Sequence, residues 1–185
     1  MLDGEEKSII ERAIRGDSSA FGLLYDRYHA QIYRFVYLKV SHREEAEDIT
    51  HHVFLNAWQT IGGYKDKGFP FSSLLYQIAR NKVIDHYRTK KSSVDIEDLN
   101  EAEIPRHDLS LEDSIHAQFQ LETVRHALKA LKQEYQDIII MRYIEELTPS
   151  EVARILKKPE ATIRVSQHRA IKQLKALLDQ ETTES

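Results

Sequence analysis

This sequence predicts an all-α fold: two small helical bundle domains joined by an acidic linker, the second containing a helix-turn-helix. Three observations carry that expectation. Only 6 Gly and 4 Pro occur in 185 residues, which favours helices over turn-rich β structure. Apolar residues recur at helical spacing on both sides of a central segment. That segment, SSVDIEDLNEAEIPRHDLSLED at 92–113, has no sustained apolar period, contains Pro105, and carries eight acids against one Arg. The expected boundaries are therefore 1–91, 92–113 and 114–185.

In the first block, residues 5–15 read as a short helix closed by Gly16. Asp17 or Ser18 offers an N-cap for a second helix carrying Phe21, Leu24, Tyr25, Tyr28, Ile32 and Phe35. Ser41-x-x-Glu44 reads as a capping box for a third, whose apolar stripe is Ala46, Ile49, Val53 and Ala57, flanked by Phe54, Trp58 and Ile61. Gly62-Gly63 ends it. A fourth helix spans about 71–91, with Leu74, Leu75, Ile78 and Ala79 as its core side. In the second block, Ala117, Leu121, Val124, Leu128 and Leu131 share one helix face, a second helix runs over about 134–143, and the helix-turn-helix follows with Pro149 in a first turn.

Composition narrows the function classes. With no cysteine there is no disulfide framework and no thiolate metal site. The longest purely apolar run, 138–141, is far short of a membrane span, and the acidic start lacks a signal-peptide core. A cytoplasmic protein with no membrane insertion of its own is expected. The net charge of −4 looks wrong for a nucleic-acid binder until it is divided along the chain. Residues 1–91 carry +2, residues 92–113 carry −7 and residues 114–185 carry +1. The acidity is local.

The helix after 160 is one-sided. Ile163, Ala170, Leu174 and Leu177 fall on one side, Arg164, His168, Arg169, Lys172 and Lys175 on the other, and no acid occurs between Glu160 and Asp179. A duplex groove lined by phosphates needs such a face, although an ordinary solvated basic face has the same composition.

The fourth helix is a second candidate surface. Tyr76, Arg80, Tyr87 and Lys91 form a narrow stripe flanked by Asn81, Arg88 and Lys90. Rings that stack on exposed bases, alternating with cations that hold the backbone, suit single-stranded nucleic acid. Tyrosines packed in a core with wet hydroxyls would leave the same pattern. The loop GGYKDKGFPF at 62–71 carries Tyr64 and Phe69, and could clasp an extruded base or simply close the core beneath it. On the third helix, Glu44, Glu47, Asp48, His51 and Leu55 make an acidic, solvent-side line, a solvated face or a site for a basic, partly apolar partner.

Together these segments resemble the extracytoplasmic-function (ECF) class of sigma factors in the sigma-70 family, the minimal type with two conserved domains. FGLLYDRYHAQIYRF (21–35), EEAEDITHHVFLNAW (44–58) and FSSLLYQIARNKVIDHYR (71–88) follow the family's first domain in order. LKQEYQDIIIMRYIEELTPSEVARIL (131–156) and ATIRVSQHRAIKQL (161–174) follow its second. The resemblance implies a non-enzymatic specificity subunit that binds core RNA polymerase, at the clamp coiled coil of its largest subunit and at the flap region, and directs it to promoter DNA. Glu44, Glu47, Asp48, His51 and Leu55 would contact polymerase. Tyr64, Phe69, Tyr76, Arg80, Asn81, Tyr87, Arg88 and Lys91 would melt and capture the minus-ten element. Thr162, Arg164, Ser166, His168, Arg169 and Lys172 would read the minus-thirty-five element in the major groove. The linker would thread toward the polymerase channels, and an anti-sigma factor is an implied partner. Leu74 stands where the family often has Trp, His51 where Gln is common, and Lys157 where a helix-turn-helix usually has Gly.

Two other readings fit parts of the sequence. A stand-alone helix-turn-helix repressor leaves the aromatic-basic and acidic helices without a role, and no dimerisation seam is evident. A di-metal enzyme would use Asp48-x-x-His51 and Asp113-x-x-His116, but Asp48 and His51 oppose the apolar stripe. No metal or other cofactor is expected.

Overall fold

The computed structural model describes residues 4–65, 68–92 and 123–183. Helices α1 (Gly4–Ile14), α2 (Ser18–Val40), α3 (Arg43–Thr60) and α4 (Ser72–Ser92) form the first bundle. A 3₁₀ turn at Ile61–Gly63 follows α3. The second comprises α5 (described over 123–130), α6 (Gln133–Ile139) with a π turn at Ile140–Ile144, α7 (Pro149–Leu156) and α8 (Glu160–Thr183). The linker 92–113, together with Ala117 and Leu121, lies almost wholly outside the described residues.

Local chemistry sets the helix ends. Asp17 caps α2 by accepting from the Ala20 N–H at 3.1 Å, and that bond, with Arg12 beside it, holds its carboxyl below the usual range. Gly16 takes the positive φ (90°) of the preceding turn. The expected Ser41 capping box does not form. Ser41 is instead the left-handed C-cap of α2 (φ 57°), its N–H bonded to the Tyr37 carbonyl, and His42 caps α3. One residue serves the end of α2, so the start of α3 moves on by one. Inside α6, the single-turn register widens to a π turn, which ends the helix near the expected limit without a glycine.

The core of the first bundle contains the expected Leu24, Ile32, Phe35, Ala46, Val53 and Ala57, all fully enclosed. Helix α4 is rotated relative to its expected face. Phe71, Leu75, Tyr76, Ala79 and Val83 are buried, whereas Leu74 and Ile78 are only half-buried. In α5, Leu128 and Leu131 pack as expected with Tyr135, Ile139 and Ala170, but Val124 is exposed.

The rotation of α4 has a cause. The two bundles are not merely tethered; they dock on each other. α4 meets α7, and α2 meets the π turn. Ile138, Ile140, Met141, Val152 and Ile155 join one apolar cluster with Phe35, Tyr76 and Ala79 of the first bundle. Tyr76 therefore has a second domain to bury it.

Candidate nucleic-acid and polymerase interface

The helix-turn-helix is built by three local devices. Thr148 and Glu151 form a reciprocal capping box at the start of α7, with Pro149 in its first turn. Lys157 supplies the left-handed turn at φ 53°, ψ 46°, without the usual glycine. Lys158 then reaches Glu134 on α6 at 2.6 Å, and Glu134 also accepts from the Ser166 hydroxyl at 3.5 Å. A Cβ in the left-handed region costs about 1–2 kcal/mol, partly offset because glycine enlarges unfolded-state freedom. Lys157→Gly is expected to stabilise the chain by up to about 1 kcal/mol, read as a higher thermal midpoint.

The Lys158 bond draws the Glu134 carboxyl below its ordinary 4.5. A depressed folded value means that the stabilisation is present above the unfolded value and is lost as pH falls through the folded one. Glu134→Gln should cost under about 1 kcal/mol at neutral pH. The two proteins should converge in acid, which urea melts at several pH values will show.

On α8, Ile163 and Ala170 face inward, while Thr162, Arg164, His168, Arg169 and Lys172 are exposed on the outer side. Ser166 is buried at its bond to Glu134, so in this arrangement it supports the turn rather than facing a groove. Arg164 is paired with Glu160 at 2.6 Å, on the helix surface.

On α3, Glu44, Glu47, Asp48, His51 and Leu55 are all exposed, Leu55 by 44%. Glu47 is paired with Arg43 at 2.8 Å. The line is continuous, and Leu55 is its one large apolar member. Among the described residues no group of three or more His, Asp or Glu gathers as a metal would require; Asp113 and His116 lie outside them.

The fourth-helix surface is divided. Asn81 and Arg88 are exposed, Arg88 with Asp85 at 3.0 Å. Tyr87 is half-buried, and its hydroxyl donates to the Lys39 carbonyl. The Lys91 side chain lies outside the described residues. Tyr76 is fully buried, edge-on to Phe35 at 5.4 Å, with its hydroxyl donating to Glu145 at 3.0 Å. Burial raises its phenol well above the usual value. Arg80 donates to Asp137 at 2.8 Å. Tyr76 and Arg80 thus belong to the contact between bundles in this conformation, not to an open stripe.

Tyr64 packs edge-on against Phe71 at 5.4 Å, and Phe69 lies beneath the Arg154 guanidinium at 4.6 Å. Between them is a cleft of about 350 Å³ lined by Tyr64, Phe69, Pro70, Leu74, Gln77 and Arg154. Leu74, in place of a larger ring, helps leave that space.

Sequence reasoning missed Lys39, Arg34, Asp137 and Glu145. The signal was there for two of them: Lys39 is a lone charge inside the otherwise apolar run FVYLKV, and Asp137 directly precedes the apolar run 138–141. Their burial requires mutual pairing.

Family comparison settles what the two bundles are. The Sigma-70 region 2 family matches residues 24–93, and Sigma-70, region 4 matches residues 127–176. The chain belongs to the sigma-70 family. It is 31% identical over 180 residues to the ECF RNA polymerase sigma factor SigW of Bacillus subtilis, covering 93% of this chain and 96% of SigW. It is 34% identical over 173 residues to the ECF sigma factor BldN of Streptomyces coelicolor, covering 92% of this chain but 64% of BldN. The fold resembles CnrH in its complex with the cytosolic domain of CnrY, at TM-score 0.72 and 22% identity, covering 94% of this chain and 97% of CnrH. It also resembles RpoE of Bartonella quintana bound to the anti-sigma factor NepR, at TM-score 0.68 and 21% identity, covering 86% and 96%. As a sigma-70 family member of the ECF class, the chain is a promoter-directing initiation factor rather than an enzyme. Among the described residues, no helix is long and apolar enough to cross a membrane.

Proposed function

We propose that residues 1–91 carry the polymerase and minus-ten contacts, residues 114–185 the minus-thirty-five contacts, and residues 92–113 the connection between them. The observation that carries this division is the separation of three chemically distinct faces on one chain: acidic α3, aromatic-basic α4 and basic α8. Glu44, Glu47, Asp48, His51 and Leu55 grip the polymerase clamp, and α7–α8 engages the flap region. Thr162, Arg164, His168, Arg169 and Lys172 enter the major groove, with Ser166 holding the turn behind them. Tyr64, Phe69, Asn81, Tyr87, Arg88 and Lys91 receive the melted strand, joined by Tyr76 and Arg80 once the domains part. Each module is small and binds free DNA weakly; polymerase sets the spacing that lets both engage at once and makes the two readings cooperative. The protein works in the cytoplasm. An anti-sigma factor is a partner of the kind that NepR provides for RpoE.

Run-off transcription with core polymerase on fragmented genomic DNA, followed by start-site mapping, tests the whole reading. Discrete start sites sharing two spaced elements are expected; start sites identical to those of core polymerase alone would overturn it. Tyr87→Ala should leave duplex binding intact and reduce open-complex formation by about 10–100-fold, the worth of one stacked base. Tyr87→Phe, which keeps the ring but loses the bond to Lys39, should retain melting. Normal permanganate reactivity with Tyr87→Ala would remove Tyr87 from the stacking role.

A further inference from the structure

The outward midline of α8 is apolar over its first two turns. Ile163 and Ala170 are fully buried and mark the inward side. At about 100° per residue, Ala161, Val165, His168 and Lys172 fall opposite them, and all four are exposed. Val165 is 51% exposed, the most of any large apolar residue among the described ones. Arg164 and Arg169 stand exposed on its two flanks. The adjacent hydroxyl and amide are already committed. Ser166 donates to Glu134 at 3.5 Å, while Gln167 donates to the Tyr143 hydroxyl at 2.7 Å and accepts from Arg142 Nε at 3.1 Å. The N-terminal turns of a recognition helix are the part that meets base edges. Here they carry a valine at their centre.

One exposed valine is ordinary on a protein surface, so its setting has to decide. Helix propensity does not favour it, because a β-branched residue is a poorer helix former than alanine or lysine. Its surroundings do not suit an apolar partner either. No acid occurs between Glu160 and Asp179, and the flanking cations call for a polyanion. A duplex major groove offers such a face one apolar group, the C5-methyl of thymine. Valine in a helix keeps essentially one χ1 rotamer, so its methyls meet that group at little cost in entropy.

We propose that Val165 packs on the methyl group of one thymine in the minus-thirty-five element and makes that position thymine-specific. Ala161 extends the apolar surface by one turn, and Arg164 and Arg169 supply the polar contacts on either side. This rests on the reading of α8 as the minus-thirty-five helix. It adds a residue that selects a base by its methyl group rather than by a hydrogen bond.

Deoxyuridine isolates this contact, because it differs from thymidine only by that methyl. The promoter is one mapped with the full chain and core polymerase, and each thymine of its upstream element, on either strand, is replaced singly. One replacement should lower run-off at limiting holoenzyme by about three- to fivefold, the worth of one buried methyl. Val165→Ala should lose about as much on the thymine promoter and should no longer distinguish thymine from uracil there. Alanine at an exposed helix site is the safer residue for folding, and circular dichroism checks it. Val165→Ile, which keeps the branched methyls, should retain the discrimination. Indifference to every uracil overturns the assignment, as does an upstream element with no A·T pair or a uracil penalty that persists in Val165→Ala. The double variant Arg164→Ala, Arg169→Ala separates the two levels. Its loss of transcription without any uracil effect defeats only this inference. Its full activity, at a promoter shown to require the upstream element, defeats the reading beneath it.

Discussion

Replacing Arg164 and Arg169 together by alanine should abolish transcription from promoters that need the minus-thirty-five element, while leaving binding to core polymerase unchanged. Both side chains project from the outer side of α8, opposite Ile163 and Ala170, which anchor the helix to its bundle. An arginine that reaches a base edge is worth about 1–3 kcal/mol, and one that reaches phosphate weakens binding for all sequences and lowers the salt slope by about one. The pair should therefore lose about 100-fold or more in promoter-dependent run-off. Arg164 must leave Glu160 to reach DNA, but an exposed pair one helical turn apart holds it by less than about 1 kcal/mol. Glu160→Ala should consequently bind duplex slightly more tightly. Undiminished transcription by the double variant, at a promoter shown to require the upstream element, would remove α8 as its reader.

The outer side of α8 was legible in the sequence because it depends only on helical period and on where acids are absent. The same holds for α3, whose buried stripe and acidic side come from one local pattern. Period alone could not orient α4. Its apolar residues suffice for a face through Leu74 and Ile78, yet the docked second bundle turns Tyr76 inward and leaves those two half-buried. That contact joins residues far apart in sequence, as Arg80 with Asp137 shows, and no local rule reports it. Ser166 is a similar case: its type fits a groove contact, but Glu134, from another helix, claims its hydroxyl. Lys157 went the other way. The turn geometry demanded a left-handed residue, and Lys adopts it despite its side chain.

Phe35→Ala should be among the most destabilising single changes in the chain, at about 3–5 kcal/mol, because the cavity it leaves is walled by helices from both bundles. Phe35 is fully buried, stands edge-on to Tyr76, and lies 5.8 Å from the Lys39 ammonium. The apolar core of the first bundle thus continues without a break into the interface with the second. Such a loss is a large share of the ~5–15 kcal/mol that holds a typical domain folded. It should lower the urea midpoint at unchanged slope, in a single transition if the docked bundles unfold together. Tyr76→Phe keeps the ring and removes only the hydroxyl that donates to Glu145, whose other partner, Arg34, remains. It should cost about 0.5–1.5 kcal/mol. The loss should fall on docking rather than on the first bundle's own core, so hydrogen exchange at the α4–α7 contact should rise before helicity falls. A cost under about 1 kcal/mol for Phe35→Ala would mean that the cavity collapses. The continuity between core and interface would then not be what holds the two bundles together.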